Sequence, residues 1–136
     1  MRRLMLSACL LLPLAAPSLA AGHAKVAGND KLQRSLQKLD PSELVTQVCD
    51  LGAMQAFAKD ASWRTTDRVL IDAISTPRIT GNKAAGDGGA LRRGNDWYRF
   101  SFSCTLSADH MKVTDFRYKV GAAIPKSKWA DIGLWN

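Results

Sequence analysis

From Asp96 to Val120 apolar and polar residues alternate with a period of two, the spacing of a β-strand with one dry and one wet face. Tyr98, Phe100, Phe102, Cys104 and Leu106 share one parity, and Trp97, Arg99, Ser101, Ser103 and Thr105 share the other. Ser107 to His110 interrupts the alternation and Met111 to Val120 resumes it, which predicts a long antiparallel hairpin. In the second arm the phase slips. Met111 and Val113 lie on one parity and Phe116, Tyr118 and Val120 on the other, so a bulge near Thr114-Asp115 is expected. Registers that keep the aromatic residues of both arms together set Arg99 opposite Arg117 or Lys119, a pairing of like charges on the wet face.

Upstream the apolar period lengthens to that of a helix. Ala21 to Asn29 is a polar lead-in, and Leu32, Leu36 and Leu39 then recur at helical spacing over Lys31 to Leu39. Asp40-Pro41-Ser42-Glu43 reads as a second start: Asp40 as cap, Pro41 where a missing N–H costs nothing, and Glu43 reaching back to complete a capping box. The helix from Ser42 to Lys59 carries Leu44, Val45, Val48, Cys49, Leu51, Gly52 and Ala56 on one side and Glu43, Thr46, Gln47 and Asp50 on the other. It is expected to cover the dry face of the sheet. Gly52 costs up to ~1 kcal/mol of helix propensity, which points to the close approach of a bulky neighbour, expected to be an aromatic ring of the sheet.

Asp67 to Ile74 reads as the first strand, stopped at Ser75-Thr76-Pro77. Arg78 to Ala85 and Gly89 to Arg92 read as shorter strands, parted by a turn at Gly86-Asp87-Gly88-Gly89, and Arg93-Gly94-Asn95-Asp96 is a second turn. Ile124-Pro125 opens a terminal helix in which Trp129 and Ile132 share a face; Gly133 ends it, so Leu134 and Trp135 can fold back. The fold class is therefore α+β: an antiparallel β-meander of about four to five strands, covered on one face by an α-helix, with a short C-terminal helix.

The first twenty residues follow a different rule. Arg2 and Arg3, an apolar run from Leu4 to Leu14, and Ser18-Leu19-Ala20 make a secretory signal peptide with cleavage after Ala20. Leu6-Ser7-Ala8-Cys9 resembles a lipid-attachment box, but the apolar run continues past Cys9, so Cys9 is expected to leave with the signal. That run is about half the ~20 residues a membrane helix needs, and no later stretch rivals it. The division expected is 1–20 signal peptide, 21–38 lead-in with a short helix, and 39–136 a single disulfide-stapled domain, located in the periplasm or secreted.

Composition agrees with one globular domain: 136 residues, 46% hydrophobic and 23% charged. The chain has 19 basic and 12 acidic residues; loss of Arg2 and Arg3 leaves 17 against 12, a net charge of +5. A basic exported protein points to anionic envelope material before nucleic acid. Cys49 and Cys104 remain after signal removal, both directed into the same core in an oxidising compartment, and are expected to be bonded. No Cys-x-x-Cys spacing supports redox chemistry.

Catalytic signals are thin. Gly-x-Ser-x-Gly and His-Glu-x-x-His are missing, and the Gly86 cluster lacks the Lys-Ser/Thr of a phosphate loop. His110, beside Asp109, is the only histidine of the predicted domain, and its position at a hairpin turn favours a turn role over general-base work. Ala21-Gly22-His23 at a free N-terminus offers four nitrogens in the arrangement Cu(II) and Ni(II) favour, although no cofactor or resident metal is expected. The wet-face cations Arg99, Arg117 and Lys119, edged by Trp97 and joined by Arg92 and Arg93, form the candidate face for an anionic ligand.

The chain also resembles a bacterial family catalogued as Domain of Unknown Function 930. The resemblance is carried by Leu39-Asp40-Pro41, Gln47-Val48-Cys49-Asp50, Ala53-Met54, Asp67-Arg68-Val69, Gly81-Asn82, Asp96-Trp97-Tyr98-Arg99, Cys104, Asp109-His110, Phe116-Arg117-Tyr118, Gly121, Ile124-Pro125 and Trp129. It spans roughly Leu39 to the C-terminus and implies an exported protein of alphaproteobacterial type, with no catalytic residues to carry over. The expected function is a non-catalytic envelope module that binds an anionic component or a protein partner; the alternative is a small hydrolase-like enzyme working through His110.

Overall fold

The computed structural model describes residues 27–136. The expected signal segment and its expected cleavage site, Cys9 and Ala21-Gly22-His23 lie outside the described residues. Two helices, α1 (Ala27–Leu36) and α2 (Pro41–Lys59), precede β1 (Thr66–Leu70), β2 (Arg78–Thr80), β3 (Lys83–Arg93), β4 (Asp96–Leu106) and β5 (Val113–Ala123). All pairings are antiparallel, in the order β1-β3-β4-β5, with β2 on the same side of β3 as β1. Because β1 pairs Ala90 to Arg93 and β2 pairs Lys83 to Ala85, the two act as halves of one edge strand broken before Pro77. The α+β meander read from the sequence is the observed fold.

Helix α1 begins and ends earlier than Lys31–Leu39. Helix α2 starts after Asp40 with Pro41 in its first turn, but the Asp40 carboxylate makes no capping hydrogen bond, so the expected box does not form. Its buried side is Val45, Val48, Cys49, Gly52, Ala53 and Phe57, one step around from the predicted stripe. Leu51 turns outward, lining a cleft of about 310 Å³ with Leu32 and Leu36 of α1. Gly52 does mark a close approach, though to an aliphatic side chain: a Cβ there would lie 2.4 Å from Val113 Cγ2. The aromatic rings gather farther along, with Phe57 edge-on to Phe100 at 5.3 Å and against Tyr118 at 4.5 Å.

Alternation along β4 sorts as expected, with Phe100, Phe102, Cys104 and Leu106 buried beneath α2. Cys49 of α2 and Cys104 of β4 are disulfide-bonded, Cα to Cα 6.0 Å, closing a loop of 55 residues. In the chain-entropy account a loop of that length contributes about 4 kcal/mol. The bulge at Thr114 is present, since Thr105 pairs with Asp115 and Leu106 with Val113.

One turn is placed differently from the sequence expectation. The glycine cluster is no turn; β3 runs through it, with Asp87 and Gly88 forming a bulge opposite Ser101. Its glycines serve close packing: a Cβ on Gly89 would meet the Phe100 ring at 2.6 Å, and one on Gly88 would meet Ser75 Oγ at 2.2 Å. The chain reverses instead at Gly81-Asn82, where Thr80 pairs with Lys83 and Gly81 has φ +55°. The Gly94-Asn95 turn is as expected, with φ +62° at Gly94.

The face away from α2 carries a second core. Past β5 the chain makes two 3-10 turns, Lys126–Lys128 and Ala130–Ile132, in place of one helix, and Gly133 at φ +69° turns it back. Trp97, Ala90, Trp129 and Leu134 bury one another there, with Ile124 and Ile132 packed alongside. The Trp97 indole N–H donates to the Trp135 carbonyl at 2.8 Å, and that of Trp129 to the Ile124 carbonyl at 2.9 Å. Among the described residues no helix is long and apolar enough to cross a membrane.

Candidate functional site

Strand pairing decides what the outer face presents. Ser103 pairs with Arg117 and Ser101 with Lys119, while Tyr98 pairs with Ala123 and Phe100 with Val120. Arg99 therefore sits at a bulge opposite Gly121 and Ala122, and the predicted pairing with Arg117 or Lys119 does not occur. The like-charge conflict is removed by register: small hydroxyls face the cations, and the Arg99 Nε–H donates to the Asp87 carbonyl at 3.0 Å.

On the other side of the same floor the β2–β3 hairpin adds two cations that the sequence reading did not group here. Arg78 pairs with Ala85, which pairs with Ser103; Thr80 pairs with Lys83, which pairs with Thr105. Two cross-strand rows result, Arg78-Ala85-Ser103-Arg117 and Thr80-Lys83-Thr105-Asp115. At about 4.8 Å per strand the first spans roughly 14 Å between its guanidinium-bearing ends. Alanine, serine and threonine form a low floor between basic margins. A shallow cavity of about 290 Å³ lies at the Arg78, Thr80, Lys83 and Ala85 end. The acids are Asp115, whose carboxylate accepts from Arg117 Nε at 3.0 Å, and, at the bulge, Asp87. Arg117 is 82% exposed at its side chain, so that pair is held in solvent and contributes little to stability.

The other three candidates are placed elsewhere. Trp97 lies on this side of the sheet yet is fully buried, because the C-terminal segment covers it, so it offers no flat surface to a ligand. Arg92 stacks over Trp97 at 5.8 Å and grips Asp67 with two hydrogen bonds of 2.9 and 2.7 Å. Those bonds hold the Asp67 carboxyl below the usual range and push the Arg92 guanidinium up. Arg93 points to the helix side, over Trp63 at 4.3 Å and Tyr98 at 5.3 Å, and donates to the Ser62 carbonyl at 2.7 Å. Consecutive residues on a strand face opposite ways, so Arg92 and Arg93 could not both join one face.

His110 is built into a turn. Its φ is +58°, its N–H donates to the Ser107 carbonyl at 2.9 Å, and its Nε2 bonds Asn82 Oδ1 at 3.2 Å. The adjacent Ser107 hydroxyl donates to Asp109 at 2.6 Å, and Asp109 also accepts the Met111 N–H at 3.1 Å. These bonds lower the Asp109 carboxyl pKa. Serine, acid and histidine thus stand within four consecutive residues without forming a relay, because the serine bonds the acid directly. Among the described residues no cluster of three or more His, Cys, Asp or Glu side chains is arranged to hold a metal ion.

Among the described residues Asp50 is the one strongly perturbed carboxyl. It projects from α2 and accepts the Ile71 N–H at 2.8 Å, tying the helix to the end of β1. Burial pushes its pKa up to about 7, against the lowering effect of that hydrogen bond, and nearby Asp72 adds to the rise. Tyr118 donates to Asp60 at 2.6 Å; burial and that bond push the phenol up to about 12.

No curated protein and no solved structure matches this chain. Residues 36–134, from the last residue of α1 through the segment that buries Trp97, match the family described as Domain of Unknown Function (DUF930), and the protein belongs to that family.

Proposed function

We propose that this protein is an exported, non-catalytic module that docks on the acidic lipid headgroups of the cell envelope through the outer face of its sheet. The observation that carries the reading is the arrangement of Arg78, Lys83, Arg99, Arg117 and Lys119 around a floor of small hydroxyl residues, with Asp115 and Asp87 as the nearby acids. A face roughly 14 Å wide meets several anionic groups at once, which suits a headgroup layer better than a single small anion. Export is supported by the pattern of Arg2, Arg3, the apolar run and Ser18-Leu19-Ala20, and by the net charge that remains without it.

The test is co-sedimentation with vesicles of acidic and of neutral phospholipid at low and high salt. The protein should bind the acidic vesicles and release them as salt rises. An Arg78→Ala, Arg117→Ala variant should bind roughly thirtyfold more weakly, from the ~1 kcal/mol that each cation contributes near an acidic surface. Unchanged binding by the variant would remove this face as the site; binding to acidic polysaccharide but not to vesicles would replace the lipid by a polymer.

A further inference from the structure

Beyond the hydroxyl floor, the C-terminal segment leaves a groove of about 340 Å³ between itself and the end of β5. Ile74, Ile124, Pro125 and Ile132 line it, with Ala122 and Ala123 leaving it open, and its charged lining residues are Arg99 and Lys128. The volume falls within the range of small-molecule sites. Its apolar side chains are not covered: the three isoleucines are half-buried and Pro125 is exposed. Arg99 is held at Nε by the Asp87 carbonyl, which orients the guanidinium and leaves its terminal nitrogens available. Among the described residues no carboxylate pairs with Arg99 or Lys128. A different cavity, of about 410 Å³, is lined by Asp40, Glu43 and Asp72 and repels anions.

An apolar groove with two unpaired cations has the complement of an anionic amphiphile, with one end satisfied by burial and the other by forked hydrogen bonds to an acid group. We propose that this groove takes the hydrocarbon chain of a single-chain phosphate-headed lipid, with the phosphate held by Arg99 and Lys128. The inference rests on the reading of the outer face as a lipid-docking surface and names the lipid feature it selects. Arg99 joins the two, since it belongs both to the cationic face and to the lining of the groove.

The probes are octyl, decyl and dodecyl phosphate below micelle-forming concentrations, with inorganic phosphate and dodecyl maltoside as controls, titrated calorimetrically into the purified protein. Affinity should rise with chain length by up to about fourfold per buried methylene. Inorganic phosphate and the uncharged maltoside should bind much more weakly. Ala122→Phe, at an exposed position, fills the groove and should abolish the chain-length dependence while acidic-vesicle binding persists. Arg99→Gln with Lys128→Gln should lower alkyl phosphate affinity to that of the maltoside. Binding independent of chain length, or equal binding of phosphate-headed and uncharged amphiphiles, overturns the groove proposal. Wild-type protein that binds acidic vesicles but no alkyl phosphate fails the groove alone; wild-type protein that binds alkyl phosphate but no acidic vesicles fails the docking face alone.

Discussion

Replacing Asp50 by asparagine tests the electrostatics at the junction of α2 with β1. The carboxylate accepts the Ile71 N–H, and an asparagine carbonyl oxygen can accept the same bond without the charge. In the unfolded chain Asp50 titrates near 3.8; in the folded protein burial raises this to about 7. The folded state thus holds the proton more tightly. Relative to the neutral variant, the wild type is not penalised below about pH 4, loses stability as pH rises toward 7, and is flat above. At 1.36 kcal/mol per pH unit the full displacement is about 4 kcal/mol. That is a ceiling, because Asp50 retains some solvent contact, and about half of it is the expected effect. Urea unfolding at pH 4 and pH 8 measures this: Asp50→Asn should match the wild type at pH 4 and exceed it by about 2 kcal/mol at pH 8. Asp60, Asp67 and Asp109, whose pKa values are lowered, make stability fall at acid pH, but equally in both proteins, so they cancel in the comparison. A difference that does not change with pH would show that folding leaves the Asp50 pKa unshifted, and a variant less stable at pH 8 would show that the ionised carboxylate is a favourable partner for Ile71; either refutes the argument.

Denatured, unreduced protein should give no free-thiol labelling at Cys49 or Cys104, and reduction should lower stability by about 4 kcal/mol in urea unfolding. Gly52→Ala gains ~1 kcal/mol of helix propensity but forces a methyl against Val113, where overpacking costs about 1–3 kcal/mol; the expected result is a net loss of about 1 kcal/mol. Adding Val113→Ala should recover part of the helix gain, whereas a more stable single variant would mean that Val113 moves aside freely.

Much of the architecture was legible along the chain because its signals are local. Period-two alternation from Tyr98 to Leu106 sorts side chains by parity whatever surrounds the strand, so the face that receives α2 and the Cys49–Cys104 bridge could be read directly. The phase slip after Val113 likewise required the bulge at Thr114. Gly52 announced a close neighbour, while its identity as Val113 depended on where α2 crosses the sheet.

Parity does not say what covers each face, nor does composition say where a bulge falls. Trp97 alternates with serines and an arginine, the pattern of an exposed edge, yet Trp129 and Leu134, more than thirty positions away, bury it. An unbroken register sets Arg99 among like charges, and a bulge opposite Gly121 and Ala122 moves it to the margin of a different groove. The glycines from Gly86 to Gly89 have the composition of a turn, which separates Arg78 and Lys83 from this face in sequence terms; the Gly81-Asn82 pair is the local signal that places them on it. Sequence by itself determined which residues alternate, which cysteines share a core and that Gly52 is crowded within its helix, since each shows as a local departure or repeat along the chain. Tertiary structure alone decided which cations stand together, because that depends on register across four strands and on where the C-terminal segment lies, and both are set by the packing of residues far apart in sequence.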